Sequence, residues 1–239
     1  MSWSLMPEPL AAEAFAHGSW DACCIDMQHG FIDYANLLAM TTPVHACGKS
    51  VVLRAALNDY ATMAKALDLG VDAIVCPMVN SGADARAFVE ATKYPPVGQR
   101  SYGAYRDGRK EDTGAKGALA GTNARKFNFA MVETQSALDS LDEICGTEGI
   151  DGVFVGPNDL SASLTQGAGP VDPASPKVLA ALDLIVAKCR EYAIVPGIYA
   201  GSAQHAQAYV ERGFHLLALG SDIGLLESAS EALLADARA

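Results

Sequence analysis

Positive charge is scarce in this sequence, and the scarcity limits the partners that the protein can have. Lys and Arg together number 17 against 28 Asp and Glu, so the formal net charge is −11. No run of Lys and Arg would neutralise a row of phosphates. No stretch approaches the roughly 20 apolar residues of a membrane span, and the N-terminus lacks a basic start followed by an apolar core. We therefore expect a cytoplasmic protein that binds neither nucleic acid nor membrane.

A C-x-x-C pair is also absent. Most of the six cysteines lie inside apolar runs, which predicts buried, reduced thiols. Cys23 and Cys24 are awkward as joint metal ligands, because consecutive strand residues point to opposite faces. The six positions are 23, 24, 47, 76, 145 and 189.

What the sequence does contain is an alternation of short β-rich runs with longer Ala- and Leu-rich segments of helical period. The 239 residues, half of them hydrophobic, suffice for one large core. The alternation predicts an α/β fold, and its strand count and length favour a (β/α)₈ TIM barrel that forms a single domain over residues 1–239. A doubly wound open sheet is the competing architecture, but no G-x-G-x-x-G follows the first predicted strand. We predict strands at about 20–26, 51–55, 73–78, 128–133, 152–156, 195–200 and 215–220, an eighth near 98–103, and helices at about 8–17, 33–46, 59–69, 82–92, 135–146, 174–192, 202–212 and 222–238.

The one long irregular stretch covers residues 94–125 and is rich in Gly, Pro and charge. Loops of this length are usually functional lids or disordered segments. Its basic and aromatic side chains either grip an acidic substrate or lie on a solvated loop, and the sequence favours neither. They are Arg100, Tyr102, Tyr105, Arg106 and Arg109.

Polar residues follow several predicted strands at the point where the active sites of such barrels form. The first predicted strand ends in Asp26 and runs into Gln28 and His29, and the second carries Arg54. The fifth ends in Glu133, and the sixth runs into the motif GPND, residues 156–159. Two carboxylates, a guanidinium and an imidazole are therefore expected around one bowl.

Glu133 and Asp159 directly follow apolar strands, where a charge needs a partner or a metal. Two carboxylates without a Cys ligand favour Mg²⁺ or Mn²⁺, and Co²⁺ or Zn²⁺ would also fit. The alternative is that Glu133 pairs with Arg54 and that Asp159 caps the helix after GPN.

Arg54 offers a fixed guanidinium that suits a carboxylate or an enolate oxygen, or else forms a structural ion pair. His29 would transfer a proton near neutral pH, and Asp26 would hold one tautomer of its ring. A lone His is more often a packing residue, so only the polar residues predicted around His29 favour a role for it in proton transfer.

Seven segments of the sequence together resemble the HpcH/HpaI aldolase family, the class II pyruvate aldolases. The resemblance runs in order from about residue 5 to 230, and GPNDLS with an upstream Glu at a strand end is its most specific part. The segments that carry it are DMQHG, VVLRAALND, CPMVNS, TKYPPVGQRS, FAMVETQSALDSLDEI, GVFVGPNDLSASL and ALGSDIGLL.

The resemblance implies a lyase that makes or cleaves 4-hydroxy-2-oxoacids from pyruvate or hydroxypyruvate and an aldehyde. Glu133 and Asp159 would hold the divalent metal. Arg54 would stabilise an enolate, and His29, near Asp26, would transfer protons, with Asp68 supplied by a neighbouring subunit. Backbone around Gly156, Pro157, Asn158 and Asp159 would position the oxoacid carboxylate. It also implies a homo-hexamer, a dimer of trimers with exchanged helices at 222–238.

Two positions depart from the family pattern. Gln28 stands where the family has Glu, and Met131 stands where it has Gln. Losing the polar contact at position 131 would change how the oxoacid sits, in favour of hydroxypyruvate or of a different aldehyde.

Other functions stay open on the sequence alone. A Schiff-base aldolase needs a Lys inside the barrel, and none of the predicted strands ends in Lys. A citrate-lyase β-like acyl-CoA lyase shares the barrel and the carboxylates but usually has a longer chain. A barrel that binds a 2-oxoacid without catalysis is the third alternative.

Overall fold

The computed structural model describes residues 1–103, 106 and 115–239. In this part of the chain eight parallel strands follow one another around a single sheet in chain order. The first and last strands meet at a seam, where the Leu219 amide donates to the Met1 carbonyl at 3.1 Å. The result is a nearly closed barrel. The strands are β1 (Ser2–Ser4), β2 (Ala22–Asp26), β3 (Ser50–Arg54), β4 (Ala73–Cys76), β5 (Phe127–Val132), β6 (Gly152–Val155), β7 (Val195–Ala200) and β8 (Leu216–Leu219).

Helices connect the strands and cover the outside of the barrel. Several begin at a Ser or Thr whose side chain accepts a backbone N–H of the first turn, as Thr134 and Ser202 do. They are α1 (Pro9–His17), α2 (Tyr34–Ala46), α3 (Tyr60–Leu69), α4 (Gly82–Thr92), α5 (Ala115–Arg125), α6 (Gln135–Asp139), α7 (Leu141–Cys145), α8 (Pro157–Leu164), α9 (Pro176–Glu191), α10 (Ala203–Arg212) and α11 (Asp222–Arg238).

Each strand divides its side chains between two cores, because successive residues point to opposite faces. In β5, Phe129 and Met131 belong to the cluster inside the barrel, while Ala130 and Val132 pack outward against the helices. Burial on both faces explains why the strands have near-continuous apolar runs. The TIM barrel predicted from the sequence is confirmed.

The position predicted for the eighth strand is wrong. Residues 98–103 form no strand, and the missing strand is β1, which precedes all the others. It has only three residues, two of them serines, so it carries no apolar run to reveal it. The helix predicted near 8–17 exists, but it follows the first strand instead of opening the chain. The predicted helix 135–146 is divided into α6 and α7 at Ser140, and α8 was foreseen only in the alternative that Asp159 caps a helix after GPN.

The stretch 94–125 is less irregular than predicted, since α5 occupies its second half. Arg100 is buried, bonds Asp68 at 2.6 Å and lies 4.4 Å from the Tyr94 ring centroid, so its guanidinium is engaged within the protein. Tyr102 is 71% exposed, and Arg106 donates to Thr42 at 3.1 Å. Tyr105 and Arg109 lie outside the described residues.

The thiols follow the sequence prediction. All six cysteines are free, and Cys47 is half-buried while the other five are buried. In the described part of the chain, we find no helix whose length and apolar character would let it cross a bilayer.

At the amino ends of the strands, the buried Lys93 is stabilised by a carboxylate partner. The Lys93 side chain is 3% exposed, and its ammonium donates to the Asp151 carboxylate at 2.8 Å and to the carbonyls of Asn123 and Lys126. The same Asp151 oxygen accepts the Asn128 amide at 2.8 Å. A buried ammonium without a carboxylate would carry a large desolvation penalty.

We therefore expect Asp151→Ala to lower the free energy of unfolding by about 2–3 kcal/mol, since it leaves the Lys93 ammonium buried and unpaired. The Asp151 side chain keeps 31% exposure, which places the loss below that of a wholly buried pair. Urea denaturation measures the change. Asp142→Ala is the matched control, because it removes one of the two carboxylate partners of Lys188 on the exposed surface and should have little effect. Equal losses in the two variants would contradict the assignment.

Candidate active site

A cavity of about 160 Å³ lies at the carboxyl ends of the strands and gathers most of the predicted site residues. Two larger hollows in the described part of the surface hold none of them. One lies against α4 and α7, and the other adjoins the amino ends of β1, β2 and β8. The smaller cavity is therefore the candidate site, and its walls are Trp3, His29, Arg54, Met131, Phe154, Gly156, Pro157, Asn158, Asp159 and Tyr199.

Arg54 is held by Asp26, its partner in the β2–β3 register. The Arg54 Nε donates to Asp26 Oδ1 at 2.9 Å, and Nη2 donates to Oδ2 at 2.5 Å. Burial is the largest influence and lowers the pKa of the guanidinium, but the hydrogen bond and the charge of Asp26, with smaller effects of Cys24 and Glu133, together outweigh it, so the pKa of Arg54 lies above its usual value. Arg54 therefore stays charged and fixed in direction beside the cavity.

Asp26 does not hold the ring of His29, contrary to the sequence interpretation. Its carboxylate is fully buried and accepts the guanidinium of Arg54 together with the backbone amides of Gln28 and His29, at 2.9 and 3.3 Å. The turn depends on Gly30, where a Cβ would lie 2.1 Å from the Asp26 carbonyl oxygen. This turn leaves the His29 side chain exposed at the cavity.

Glu133 is a nearly uncompensated buried carboxylate. It follows β5, is 2% exposed, and accepts the Met78 amide at Oε1 with a distance of 2.9 Å. Among the described residues no Lys or Arg forms an ion pair with it, so the alternative of a Glu133–Arg54 pair is not realised. Burial raises the pKa of Glu133 and the nearby Asp159 charge adds to this, while the Met78 bond and the Arg54 charge lower it, so the pKa lies at about 7.

Asp159 and Glu133 converge on one point beside Gly156. A Cβ built on Gly156 would lie 2.5 Å from Glu133 Oε2 and 3.4 Å from Asp159 Oδ2. Any side chain at this position would displace the Glu133 carboxylate from its present place. The two carboxylates therefore face the same small space, where a bound cation or a proton on Glu133 would offset the repulsion between them.

Helix α8 begins at this point. Gly156 is its N-cap residue and contributes no side-chain cap, and Pro157 and Asp159 lie in the first turn. Asp159 is therefore not the cap that the sequence alternative proposed. Pro157 has no N–H, so Asn158 and Asp159 supply the free amides that the start of a helix directs at an anion.

The donor set fits a hard divalent cation, although the described residues contain no group of three or more His, Cys, Asp or Glu that would enclose a metal. Two carboxylate oxygens near one point, one from a buried group without a cationic partner, are the ligands that Mg²⁺ and Mn²⁺ prefer. Such ions commonly keep several positions for water and substrate.

Sequence reasoning missed three aromatic walls of the cavity. Trp3 lies on the unrecognised strand β1, Phe154 points inward from β6, and Tyr199 stands near the end of β7. The Trp3 ring stacks on Phe154 with centroids 5.8 Å apart and meets the Tyr199 ring edge-on at 5.5 Å. For Phe154 and Tyr199, the alternation of faces along their predicted strands was the available signal.

Asp68 lies apart from this cavity within the one chain described. It is on α3 and pairs with Arg100 at 2.6 Å, with 30% of its side chain exposed. Its expected role in catalysis belongs to an assembly with a second subunit and stays a prediction.

An eight-stranded parallel barrel with paired carboxylates, a fixed guanidinium and an exposed imidazole at its carboxyl end defines the class as a TIM-barrel enzyme. A family model described as HpcH/HpaI aldolase/citrate lyase matches residues 1–229. The chain belongs to that family.

Similar proteins agree over nearly the whole chain. A hydroxypyruvate/pyruvate aldolase of Rhizorhabdus wittichii is 35% identical over 238 residues, which cover 99% of this chain and 93% of that protein. A 4-hydroxy-2-oxo-heptane-1,7-dioate aldolase of Escherichia coli is 32% identical over 233 residues, covering 98% and 88%. The crystal structure of a family member from Burkholderia cenocepacia superposes with a TM-score of 0.88 at 28% identity, covering 100% and 95%. The chain is an enzyme of the lyase class, a class II aldolase.

The raised pKa of Glu133 predicts that the free energy of unfolding of the metal-free protein depends on pH. Between its usual 4.5 and about 7 the folded state binds more protons than the unfolded state, so stability falls as pH rises through this window. Glu133→Gln removes the titration. With EDTA present, we expect its free energy of unfolding relative to wild type to rise by about 2–3 kcal/mol between pH 5 and pH 8.

Guanidinium denaturation at the two pH values measures this difference. Glu148→Gln, at an exposed position, is the control and should keep the wild-type pH dependence. A constant difference between Glu133→Gln and wild type across the range would show that Glu133 is not destabilising when ionised.

Proposed function

We propose that this aldolase acts on a 2-oxoacid, pyruvate or hydroxypyruvate, and an aldehyde, with a divalent metal held by Glu133 and Asp159. The observation that carries the proposal is the convergence of these two carboxylates beside Gly156, within a cavity walled by Arg54 and His29. Mg²⁺ or Mn²⁺ fits the oxygen ligands best, and Co²⁺ or Zn²⁺ would serve as well. The relatives named as aldolases of such acids support it.

When bound, the metal supplies a Lewis acid beside the keto oxygen of the oxoacid. The amides of Asn158 and Asp159, at the start of α8, bind the oxoacid carboxylate. Arg54 faces the oxygen on which negative charge develops as a proton leaves the methyl carbon. Its hold on Asp26 means that the guanidinium need not reorient during the reaction.

His29 transfers the proton, and its exposure at the cavity allows a water molecule to stand between the ring and the substrate. The resulting carbon nucleophile attacks the aldehyde. In the reverse direction a 4-hydroxy-2-oxoacid is cleaved to the aldehyde and the 2-oxoacid.

We also propose that the enzyme is a homo-hexamer, a dimer of trimers, in which α11 is exchanged between subunits and Asp68 reaches a neighbouring site. Residues 225–239 are exposed throughout in the single chain. This exposed helix carries apolar side chains that an isolated subunit leaves in water, which favours a partner over them. They are Leu225, Leu226, Leu233 and Leu234, at 41, 63, 72 and 42% exposure.

The proposal predicts metal-dependent exchange of the methyl protons of pyruvate in D₂O, followed by NMR. Exchange should be absent with EDTA and return with Mg²⁺, Mn²⁺, Co²⁺ or Zn²⁺. Glu133→Gln and Arg54→Lys should each slow it by about 10²-fold or more, because each removes a group that stabilises developing charge. Glu148→Gln should leave the rate unchanged. No exchange with any of these metals, for either pyruvate or hydroxypyruvate, would overturn the proposed function.

Gly156→Ala tests the carboxylate pair without touching either carboxylate. The added Cβ would lie 2.5 Å from Glu133 Oε2 and 3.4 Å from Asp159 Oδ2, so the Glu133 carboxylate must leave its present position. We expect Mn²⁺ affinity, measured by calorimetry, to fall at least about tenfold, because bound metals tolerate little displacement of their ligands. Gly201→Ala is the matched control, since a Cβ on this glycine after β7 meets no atom within 4 Å. Unchanged Mn²⁺ affinity in Gly156→Ala would argue that Glu133 and Asp159 are not the ligands.

A further inference from the structure

Trp3 combines two contacts to the charged pair at the cavity. Its indole Nε1 donates to Asp26 Oδ2 at 3.2 Å, the same oxygen that accepts Arg54 Nη2. The guanidinium carbon of Arg54 lies 4.8 Å from the centroid of the Trp3 ring. One side chain thus contacts both members of the Asp26–Arg54 pair.

The surroundings of Trp3 hold its ring in one orientation. The side chain is 3% exposed, and its backbone pairs with Cys24 in the β1–β2 register. Phe154 stacks on the ring at an interplanar angle of 20°, and Tyr199 meets it at 76°. Neither Phe154 nor Tyr199 donates a hydrogen bond to Asp26, so Trp3 alone among these three rings connects the aromatic wall to the charged pair.

The donors to Asp26 form a complete set. Oδ1 accepts the Arg54 Nε and the amides of Gln28 and His29, and Oδ2 accepts Arg54 Nη2 and the Trp3 indole. The remaining guanidinium nitrogen, Nη1, has no hydrogen-bond partner among the described residues and is left for a ligand of the cavity. Its direction depends on how firmly the other two nitrogens are held.

We propose that Trp3 is a positioning residue for Arg54, acting through its N–H bond to Asp26 and through the ring beneath the guanidinium. The inference rests on the proposed function, in which Arg54 faces the developing negative charge. A group that meets charge only during the reaction affects turnover more than binding of the oxoacid. Misplacing Arg54 should therefore slow the reaction with little change in the concentration of oxoacid that saturates it.

The test is the rate of pyruvate methyl exchange in Trp3→Phe, which keeps an aromatic ring and loses the N–H. We expect the maximal rate to fall about tenfold, as the loss of a hydrogen bond to a charged group implies. The half-saturating pyruvate concentration should change less than about threefold. In Trp3→Leu, which loses the ring as well, the maximal rate should fall about 10²-fold. Trp20→Phe is the matched control, since Trp20 packs on Phe15 away from this cavity and its loss should leave the rate unchanged.

A double-mutant cycle with Arg54→Lys separates positioning from direct contact with the substrate. If Trp3 acts through Arg54, Trp3→Phe should slow the Arg54→Lys enzyme far less than it slows wild type. If the two losses multiply, Trp3 acts on the substrate or on the fold directly, and the proposal is overturned. An unchanged maximal rate in Trp3→Phe would overturn it as well.

A second measurement needs neither a folded Trp3 variant nor catalysis. In the Trp20→Phe background Trp3 is the one remaining tryptophan of the sequence. Arg54→Lys should change its emission in the substrate-free protein, because the guanidinium leaves the ring, and unchanged emission would overturn the proposal. If wild type shows no exchange with any metal or oxoacid, the proposed function fails, whereas the emission still reports on the contact between Trp3 and Arg54.

Discussion

The chemistry of this barrel depends on one constraint, the burial of carboxylates at the carboxyl end of its inner core. Asp26 is fully buried and has a complete set of donors, including a guanidinium. Glu133 is almost as buried but has a single amide donor and a second carboxylate nearby. The first arrangement is stable by itself, whereas the second is relieved only when Glu133 takes up a proton or, under the proposed function, when a metal ion binds. The fold thus fixes the positive charge of Arg54 on one side of the cavity. On the other side, a second cation would fit between Glu133 and Asp159.

The strand register explains why Asp26 has a guanidinium partner and why, among the described residues, Glu133 has none. Asp26 and Arg54 are cross-strand partners at the ends of β2 and β3, so backbone pairing alone brings them into contact. Glu133 lies one residue past β5, and β6 ends immediately before the glycine that begins α8. A barrel of parallel strands places these ends on one rim, and the absence of a side chain at Gly156 lets the carboxylates approach each other.

Sequence patterns predicted the barrel and seven of its strands, because runs buried on both faces are apolar throughout and leave a clear signal. They also predicted that Arg54, His29, Glu133 and the residues after β6 share one cavity rim. Sequence patterns failed where a contact is set by the three-dimensional fold and leaves no local pattern in the chain. The strand at Ser2–Ser4 is too short for a pattern, so Trp3 was missed together with it. The partner of Asp26 was also misassigned, because spacing along the chain suggested His29, whereas the sheet register supplies Arg54.

The departure at Met131 gains meaning from this geometry. Its side chain lines the cavity, and its terminal methyl lies 3.3 Å from the Cβ position of Gly156, next to the carboxylate pair. With Trp3, Phe154 and Tyr199 it forms the apolar part of the wall around the charged groups. Apolar walls exclude water and strengthen each electrostatic contact inside the cavity, including that of Arg54 with a developing negative charge. Under the proposed function, exchanging a polar contact for Met would leave the recognition of the oxoacid to the metal, the guanidinium and the α8 amides.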